Sequence, residues 1–206
     1  MNLKNLTDKQ RQQFTESDLT EWEAILKSGA VRVIAAPEAK VVLRRYPDRV
    51  LSSRMVRRLK PQEGLNTPPK AKSRWCVHGH QDPDTEFLQV HAPTPQSESV
   101  LLCLQILASH KFKLQIADFK NAFCQSHELR RSRGPLYVQP CSGLPLGPDE
   151  LIELLVPVYG LDDAPLEWHR TITTEFVDGA RIPTLAAGAL LVRQTRKWQA
   201  ERSVLT

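Results

Sequence analysis

The feature that most constrains the fold of this chain is a strict alternation of side-chain character along residues 70–80, KAKSRWCVHGH. A two-residue period is that of a β-strand with one packed face and one open face. Residues 50–60, VLSSRMVRRLK, predict a second basic strand, and the turn-rich residues 61–69 predict a hairpin between them with one cationic face. The open face of the strand at 70–80 would carry Lys70, Lys72, Arg74, Cys76, His78 and His80, and its packed face Ala71, Ser73, Trp75 and Val77.

Positive charge is concentrated in the same part of the chain. Residues 40–74 contain eleven Lys or Arg residues and two acidic residues, whereas the whole chain of 206 residues has a net charge of only +5. A basic block inside an otherwise mildly acidic chain favours a local site for a polyanion. A solvated surface without a ligand is the alternative interpretation.

Composition and cysteine usage narrow the class of protein. With 41% apolar and 25% charged residues, the composition is that of a globular protein, and the length suffices for one sizeable core or two modest ones. Because the sequence shows neither an apolar run that would cross a membrane nor a signal peptide, we expect an intracellular protein, cytoplasmic or nuclear. Four cysteines without paired spacing predict reduced thiols: Cys76, Cys103, Cys124 and Cys141.

Helical segments flank the hairpin. Thr7 and Gln10 form the pattern of a capping box, which predicts the start of a helix that ends near Gly29. Its predicted apolar stripe consists of Leu19, Trp22, Ile25 and Leu26. Residues 94–109 predict a second helix, which we expect to be buried because it is apolar on nearly all sides. Residues 162–177 predict a third helix with a proline in its first turn.

Short apolar segments predict further strands, at residues 31–34, 111–118, 136–138 and 151–156. The second of these ends in Asp118 and continues into a small residue and an aromatic residue, Ala122 and Phe123. Considered alone, Asp118 is explained most simply as a residue that ends a strand or caps a helix.

A metal site is one alternative function for the predicted strand at residues 70–80. Cys76, His78 and His80 recur at every second position, so one strand face could present all three to zinc. A fourth ligand and a neighbouring Cys-x-x-Cys are lacking, which favours polar residues on an open face. The sequence also contains no glycine-rich phosphate loop, no G-x-S-x-G and no H-E-x-x-H, so it gives no support for the corresponding enzyme classes.

Seven segments in a fixed order resemble the reverse transcriptase of copia-type LTR retrotransposons, and they cover residues 20–177. No single segment is specific, and the resemblance rests on the order of all seven. The segments are EWEAILKSGAVRVI, SRMVRRLK, KAKSRWCVHGHQDPD, APTPQSESVLLCLQILAS, IADFKNAFCQS, LYVQPCSGLP and VYGLDDAPLEWH.

The resemblance implies an α+β fold that comprises the fingers and an incomplete palm of a right-hand polymerase. The implied regions are a helical lead-in (1–30), a basic fingers-like region (31–95), a partial palm-like region (96–177) and a divergent tail (178–206). The implied activity is RNA-directed DNA polymerisation by part of a Pol polyprotein. Its partners would be an RNA or DNA template-primer and deoxynucleoside triphosphates, and its cofactor Mg²⁺.

The resemblance also assigns roles to individual residues. Asp118 matches the first catalytic, metal-ligating aspartate at the end of a palm strand, and the backbone carbonyl of Phe119 would be a second ligand of Mg²⁺. The implied nucleotide-binding residues are Lys72 and Arg74, the backbone N–H groups of Asn121 and Ala122, and the Phe123 ring beneath the sugar. The implied contacts to the nucleic-acid backbone are Arg54, Arg57, Arg58, Lys60 and Lys70.

The chain also departs from the family pattern. A working reverse transcriptase carries a second pair of acids in a Tyr-x-Asp-Asp hairpin, and the sequence contains no such motif. The pair Asp162 and Asp163 does not replace it, because Tyr159 lies one residue too far away and a predicted helix follows. Asp163 also stands where the family has glutamine, which would put negative charge near the nucleotide. We therefore expect a fragment that does not polymerise alone; a non-catalytic nucleic-acid-binding module and a transposon relic without function are the alternatives.

Overall fold

The computed structural model describes residues 7–62, 68–112, 114 and 118–180, and the side chains of 176–180 are not described. Helices and short strands are interspersed in this part of the chain, in agreement with the predicted mixture of α and β structure. The elements are α1 (Asp8–Lys27), β1 (Val31–Ile34), α2 (Ala36–Arg45), β2 (Val50–Leu51), β3 (Ser53–Lys60), β4 (Lys70–Val77), α3 (Ser97–Ser109), β5 (Tyr137–Val138), β6 (Leu151–Leu154) and α4 (Ala164–Ala180). The predicted strand at 111–118 falls partly on residues 113 and 115–117, which lie outside the described residues.

Strands β3 and β4 form the predicted hairpin. They are antiparallel, with Arg57 opposite Ser73. The alternation along β4 is confirmed as far as Val77, because the residues of the predicted packed face are buried and those of the open face are exposed or half-buried. The strand ends there and a 3-10 helix (Gly79–Gln81) follows, so the predicted strand face does not extend to His80.

Helix α1 covers the edge of β4 that does not pair with β3. It begins with the predicted capping box, in which the Thr7 hydroxyl accepts a hydrogen bond from the Gln10 backbone N–H at 3.3 Å. The Ser17 hydroxyl accepts the backbone N–H of Ser73 at 2.9 Å. The helix therefore supplies hydrogen-bond acceptors to a strand edge that would otherwise lack them.

The buried stripe of α1 differs from the predicted one. Leu19 and Leu26 are 38% and 40% exposed, and the buried residues are Phe14, Asp18, Trp22 and Ile25. The Asp18 side of the helix faces the hairpin, where Nε of Arg57 in β3 donates to the Asp18 carboxylate at 2.9 Å and both side chains are largely buried.

The second sheet joins segments that are distant in sequence. Its strands lie in the order β1-β6-β5-β2, in which β2 and β5 are parallel and the other neighbours are antiparallel. Side chains from this sheet, from α1 and from the hairpin share one core, where the rings of Trp22 and Trp75 meet edge to face with centroids 5.7 Å apart. This shared core fixes the position of α1 relative to the hairpin.

Helix α3 forms where it was predicted but is not buried. Leu107 is its one buried residue, and Leu101 and Leu102 are 65% and 62% exposed. The prediction was wrong because apolar composition shows that a surface favours burial and does not show which element covers it. No other helix or strand in the described part of the chain packs extensively against α3. Among the same residues, we find no helix with the length and apolar character that a bilayer span requires.

Candidate functional site

An open cleft of about 840 Å³ lies between α1, the β3–β4 hairpin and the segment 118–121. Cationic side chains line it from the hairpin and from that segment, and acidic side chains line it from α1 and from the same segment. The charged lining residues are Lys60, Lys70, Lys72, Arg74 and Lys120, together with Glu16, Glu21 and Asp118. Positive charge exceeds negative charge in this cleft, which favours an anionic ligand.

The hairpin exposes its cations on one face: Arg54, Arg58, Lys60, Lys70, Lys72 and Arg74. The strand register places Arg58 opposite Lys72 and Lys60 opposite Lys70. Like charges directly opposite each other destabilise an antiparallel pair. A bound polyanion would relieve this repulsion.

Tyr159 connects the cationic face to the segment that follows Asp118. The Arg74 guanidinium lies over the Tyr159 ring, 4.2 Å from its centroid. The Phe123 ring contacts the same tyrosine, with ring centroids 4.8 Å apart. Burial raises the pKa of Tyr159, so its hydroxyl stays protonated at neutral pH. This cluster ties the hairpin to the segment that carries the predicted metal ligand.

Two glycines allow Tyr159 to approach the hairpin. The Val77 N–H donates to the Tyr159 carbonyl at 2.9 Å, and the Gly79 N–H donates to the Gly160 carbonyl at 3.1 Å. A Cβ atom on Gly160 would overlap the Val77 backbone, and one on Gly79 would overlap Gly160. Gly160 also has a φ of +101°, which residues with side chains rarely adopt. The two glycines are therefore the two halves of one close backbone contact.

Asp118 is exposed and lines the same cleft as Lys72 and Arg74. The next residue, Phe119, packs its ring against Trp168 of α4 with centroids 5.3 Å apart. This contact anchors the chain directly beside the aspartate. The acid and the hairpin cations thus face a common space although they are distant in sequence.

The charged segment 127–135 contributes to a buried ion-pair network. The Arg131 guanidinium donates to Asp163 at 2.8 and 3.0 Å and to Asp82 at 3.0 Å. All three side chains are almost inaccessible to solvent. Burial acts to lower the pKa of Arg131, but the two carboxylates outweigh it and raise that pKa. The charge of Asp163, expected near the nucleotide, is instead compensated by Arg131.

Asp84 is the second centre of this network. Its carboxylate accepts hydrogen bonds from Arg49 Nη2 at 3.0 Å and from Arg133 Nε at 2.6 Å. Burial alone would raise the pKa of Asp84, but the two guanidinium groups outweigh it and leave the pKa below its usual value. The resulting stabilisation is fully present above the unfolded-state pKa of about 4 and is lost as pH falls through the lower folded-state pKa.

We expect Asp84→Asn to lower the free energy of unfolding by about 2 kcal/mol at neutral pH, because the amide keeps one acceptor for Arg49 and loses the charge. The difference between the variant and the wild type should shrink below about pH 4. Urea unfolding at neutral pH and at about pH 3.5 measures both values. A difference that stays constant between the two conditions would contradict this origin of the stabilisation.

Residues 40–195, most of the chain, match a family model described as reverse transcriptase (RNA-dependent DNA polymerase). This chain belongs to the reverse transcriptase family. A search of curated proteins and a search of solved structures each found no match. The family match continues beyond residue 177, where the resemblance was predicted to end, and it begins after α1.

Most of the residues predicted from the resemblance surround the cleft of this reverse transcriptase chain. Those that line it are Lys60, Lys70, Lys72, Arg74, Asp118, Phe119 and Asn121. Arg54 and Arg58 are exposed on the same hairpin face. Ala122 and Phe123 are half-buried, and Phe123 packs against the core. The roles assigned to all of these residues remain predictions.

Arg57 was predicted to contact nucleic acid, and its position contradicts this. Its side chain is only 11% exposed, and it donates to the Asp18 carboxylate and to the Ser142 carbonyl. Adjacent residues of a strand point to opposite faces, so Arg57 and Arg58 cannot share the open face. Arg57 and Arg58 stand in one basic segment of the sequence, so composition alone did not distinguish the buried arginine from the exposed one.

Several cleft residues were not predicted, among them Glu16, Glu21, Lys120 and Tyr159. Helix α1 lines the cleft with residues that recur at helical spacing: Gln13, Glu16, Ser17, Thr20, Glu21 and Ala24. This polar stripe was visible in the sequence. A solvated helix face produces the same pattern, so the sequence did not distinguish the two.

The described residues do not fit a two-metal centre. Within them, no group of three or more His, Cys, Asp or Glu side chains is placed to hold a metal ion. Two Mg²⁺ ions require several carboxylate oxygens, and Asp118 alone does not supply them. The zinc alternative at Cys76, His78 and His80 lacks support for the same reason.

Proposed function

We propose that this chain is part of the reverse transcriptase domain of a copia-type Pol polyprotein, and that its cleft binds the phosphate groups of a template-primer and of nucleoside triphosphates. The observation that supports this most strongly is the convergence of Lys72, Arg74 and Asp118 on one cleft. The family match supports the reverse transcriptase assignment independently of that geometry.

The β3–β4 hairpin would act as the fingers element in this proposal. Its six outward cations suit the nucleic-acid backbone, which proteins bind largely through charge and without sequence preference. The opposed pairs Arg58–Lys72 and Lys60–Lys70 favour a ligand with several phosphates over a single anion, because each pair repels itself without one.

We further propose that this chain binds nucleic acid but does not by itself catalyse DNA synthesis. The sequence contains no Tyr-x-Asp-Asp motif, and the described residues present no carboxylate cluster beside Asp118. A binding function needs only the cations, whereas nucleotidyl transfer needs metal ligands as well. The cleft therefore supports binding more directly than it supports catalysis.

The test is a fluorescence-anisotropy titration of a labelled RNA–DNA template-primer at several salt concentrations. With about four phosphate contacts, the logarithm of the association constant should fall with the logarithm of salt concentration at a slope of about −3 to −4. Replacing Lys72 and Arg74 together by alanine should reduce this slope by about 2 and weaken binding at least about ten-fold at low salt.

The matched control replaces Arg44 and Arg45 by alanine, which removes the same charge from exposed positions of α2 that do not line the cleft. This control should retain nearly the wild-type slope. Binding that does not respond to salt, or an equal loss in both double variants, would overturn the binding function. Primer extension in the presence of Mg²⁺ should give no product, and extension by this chain would overturn the restriction to binding.

A further inference from the structure

Helix α1 contributes a carboxylate to the cationic side of the cleft. Glu21 lines the cleft wall close enough to Lys72 and Arg74 for their charges to act on its ionisation. Its Oε1 atom is buried and has no hydrogen-bond partner. The charges of Arg74 and Lys72 act on this carboxylate, so a charged Glu21 reduces the positive potential that a ligand meets at those cations.

The groups around Glu21 determine how readily it ionises. Burial is the largest effect and raises the pKa of Glu21 above its usual value. A hydrogen bond with the Trp75 backbone and the charges of Arg74 and Lys72 act in the opposite direction and offset only part of it. Glu21 in turn raises the pKa values of Cys76, Cys124 and Tyr159, which are neutral groups at neutral pH. The charged groups that face the carboxylate from the hairpin are therefore Lys72 and Arg74.

We propose that the Glu21 carboxylate is a built-in competitor for the anionic ligand of the cleft. It partly neutralises Lys72 and Arg74 and thereby weakens polyanion binding at neutral pH. When Glu21 takes up a proton, this competition ends and binding strengthens. The inference rests on the proposed function, and it concerns a helix that precedes the family match at residues 40–195.

The test compares Glu21→Gln with Glu23→Gln, using a fluorescein-labelled deoxythymidine oligonucleotide as the probe. Both changes remove one negative charge from α1, but Glu23 is exposed and is not among the cleft-lining residues. Glutamine keeps a side-chain oxygen that can accept a hydrogen bond from the backbone N–H of Trp75. Glu21→Gln should bind the oligonucleotide about five-fold more tightly than the wild type at neutral pH, and Glu23→Gln should remain close to the wild type.

A second measurement separates competition from a purely structural effect. The ratio of the affinities of Glu21→Gln and the wild type should fall towards one as pH decreases, because protonation of Glu21 makes the wild type resemble the variant. Urea midpoints of both variants show whether the fold is retained.

Each outcome decides the proposal. Equal affinities of the two variants, weaker binding by Glu21→Gln, or a ratio that is independent of pH would overturn the role of Glu21 while leaving the proposed function intact. Absence of binding by the wild type and by both variants would overturn the proposed function together with this inference. Binding by Glu21→Gln that exceeds wild-type binding only at neutral pH would support it.

Discussion

Replacing Gly160 by alanine is expected to lower the free energy of unfolding by about 3–5 kcal/mol, a large part of the roughly 5–15 kcal/mol that stabilises an ordinary domain. The added Cβ atom would overlap the Val77 backbone, which cannot move aside as a flexible side chain could. The φ of +101° adds the strain of a conformation that disfavours any Cβ atom. The urea midpoint and the yield of soluble protein measure the effect.

Gly29 provides the matched control for this prediction. It also has a positive φ, +72°, but a Cβ atom added there would have no atom within 4 Å. Gly29→Ala should therefore cost only the conformational part, about 1 kcal/mol. If both variants lost the same stability, the close contact between Gly160 and Val77 would not be the cause.

Replacing Arg131 by methionine is expected to cost about 3–5 kcal/mol, because it leaves Asp82 and Asp163 buried without a cation. The two carboxylates accept hydrogen bonds from one guanidinium at 2.8–3.0 Å and are almost inaccessible to solvent. Adding Asp163→Asn to the variant should restore part of the loss, because it removes one of the two unpaired charges. Urea unfolding of the single and double variants measures this coupling.

The neighbouring residue Arg130 is the control for Arg131. Its side chain is 87% exposed, and its Nε atom lies 3.8 Å from Oε2 of Glu128, which makes a solvent-exposed ion pair. Arg130→Met should change the free energy of unfolding by less than about 0.5 kcal/mol. Similar losses in the two methionine variants would show that the loop responds to any change, and would contradict the special role of the buried network.

Local periodicity predicted the hairpin and the start of α1 because both depend on neighbouring residues. The alternation at residues 70–77 and the capping box at Thr7 each describe an interaction within one element or between adjacent elements. Whether α3 is buried or exposed could not be predicted in the same way, because that depends on which other surface packs against the helix. Apolar composition carries no information on that partner.

The candidate site was predictable only in part, for a related reason. The order of family motifs indicated Lys72, Arg74 and Asp118, and the structure brings these together. Arg57 and Asp18 are 39 residues apart, so no local pattern indicated that this arginine pairs internally. Arg131 and Asp82 are 49 residues apart, so no local pattern indicated that this arginine belongs to a buried ion-pair network.

The edge of β4 that α1 covers has a consequence for truncated forms of the chain. Where α1 is removed, for instance in a chain that begins at residue 40, the N–H of Ser73 loses its acceptor on Ser17. An open strand edge of this kind is a template for pairing with a strand of another molecule. We therefore expect a domain trimmed to the family match, which lacks this helix, to form intermolecular sheets more readily than the longer chain.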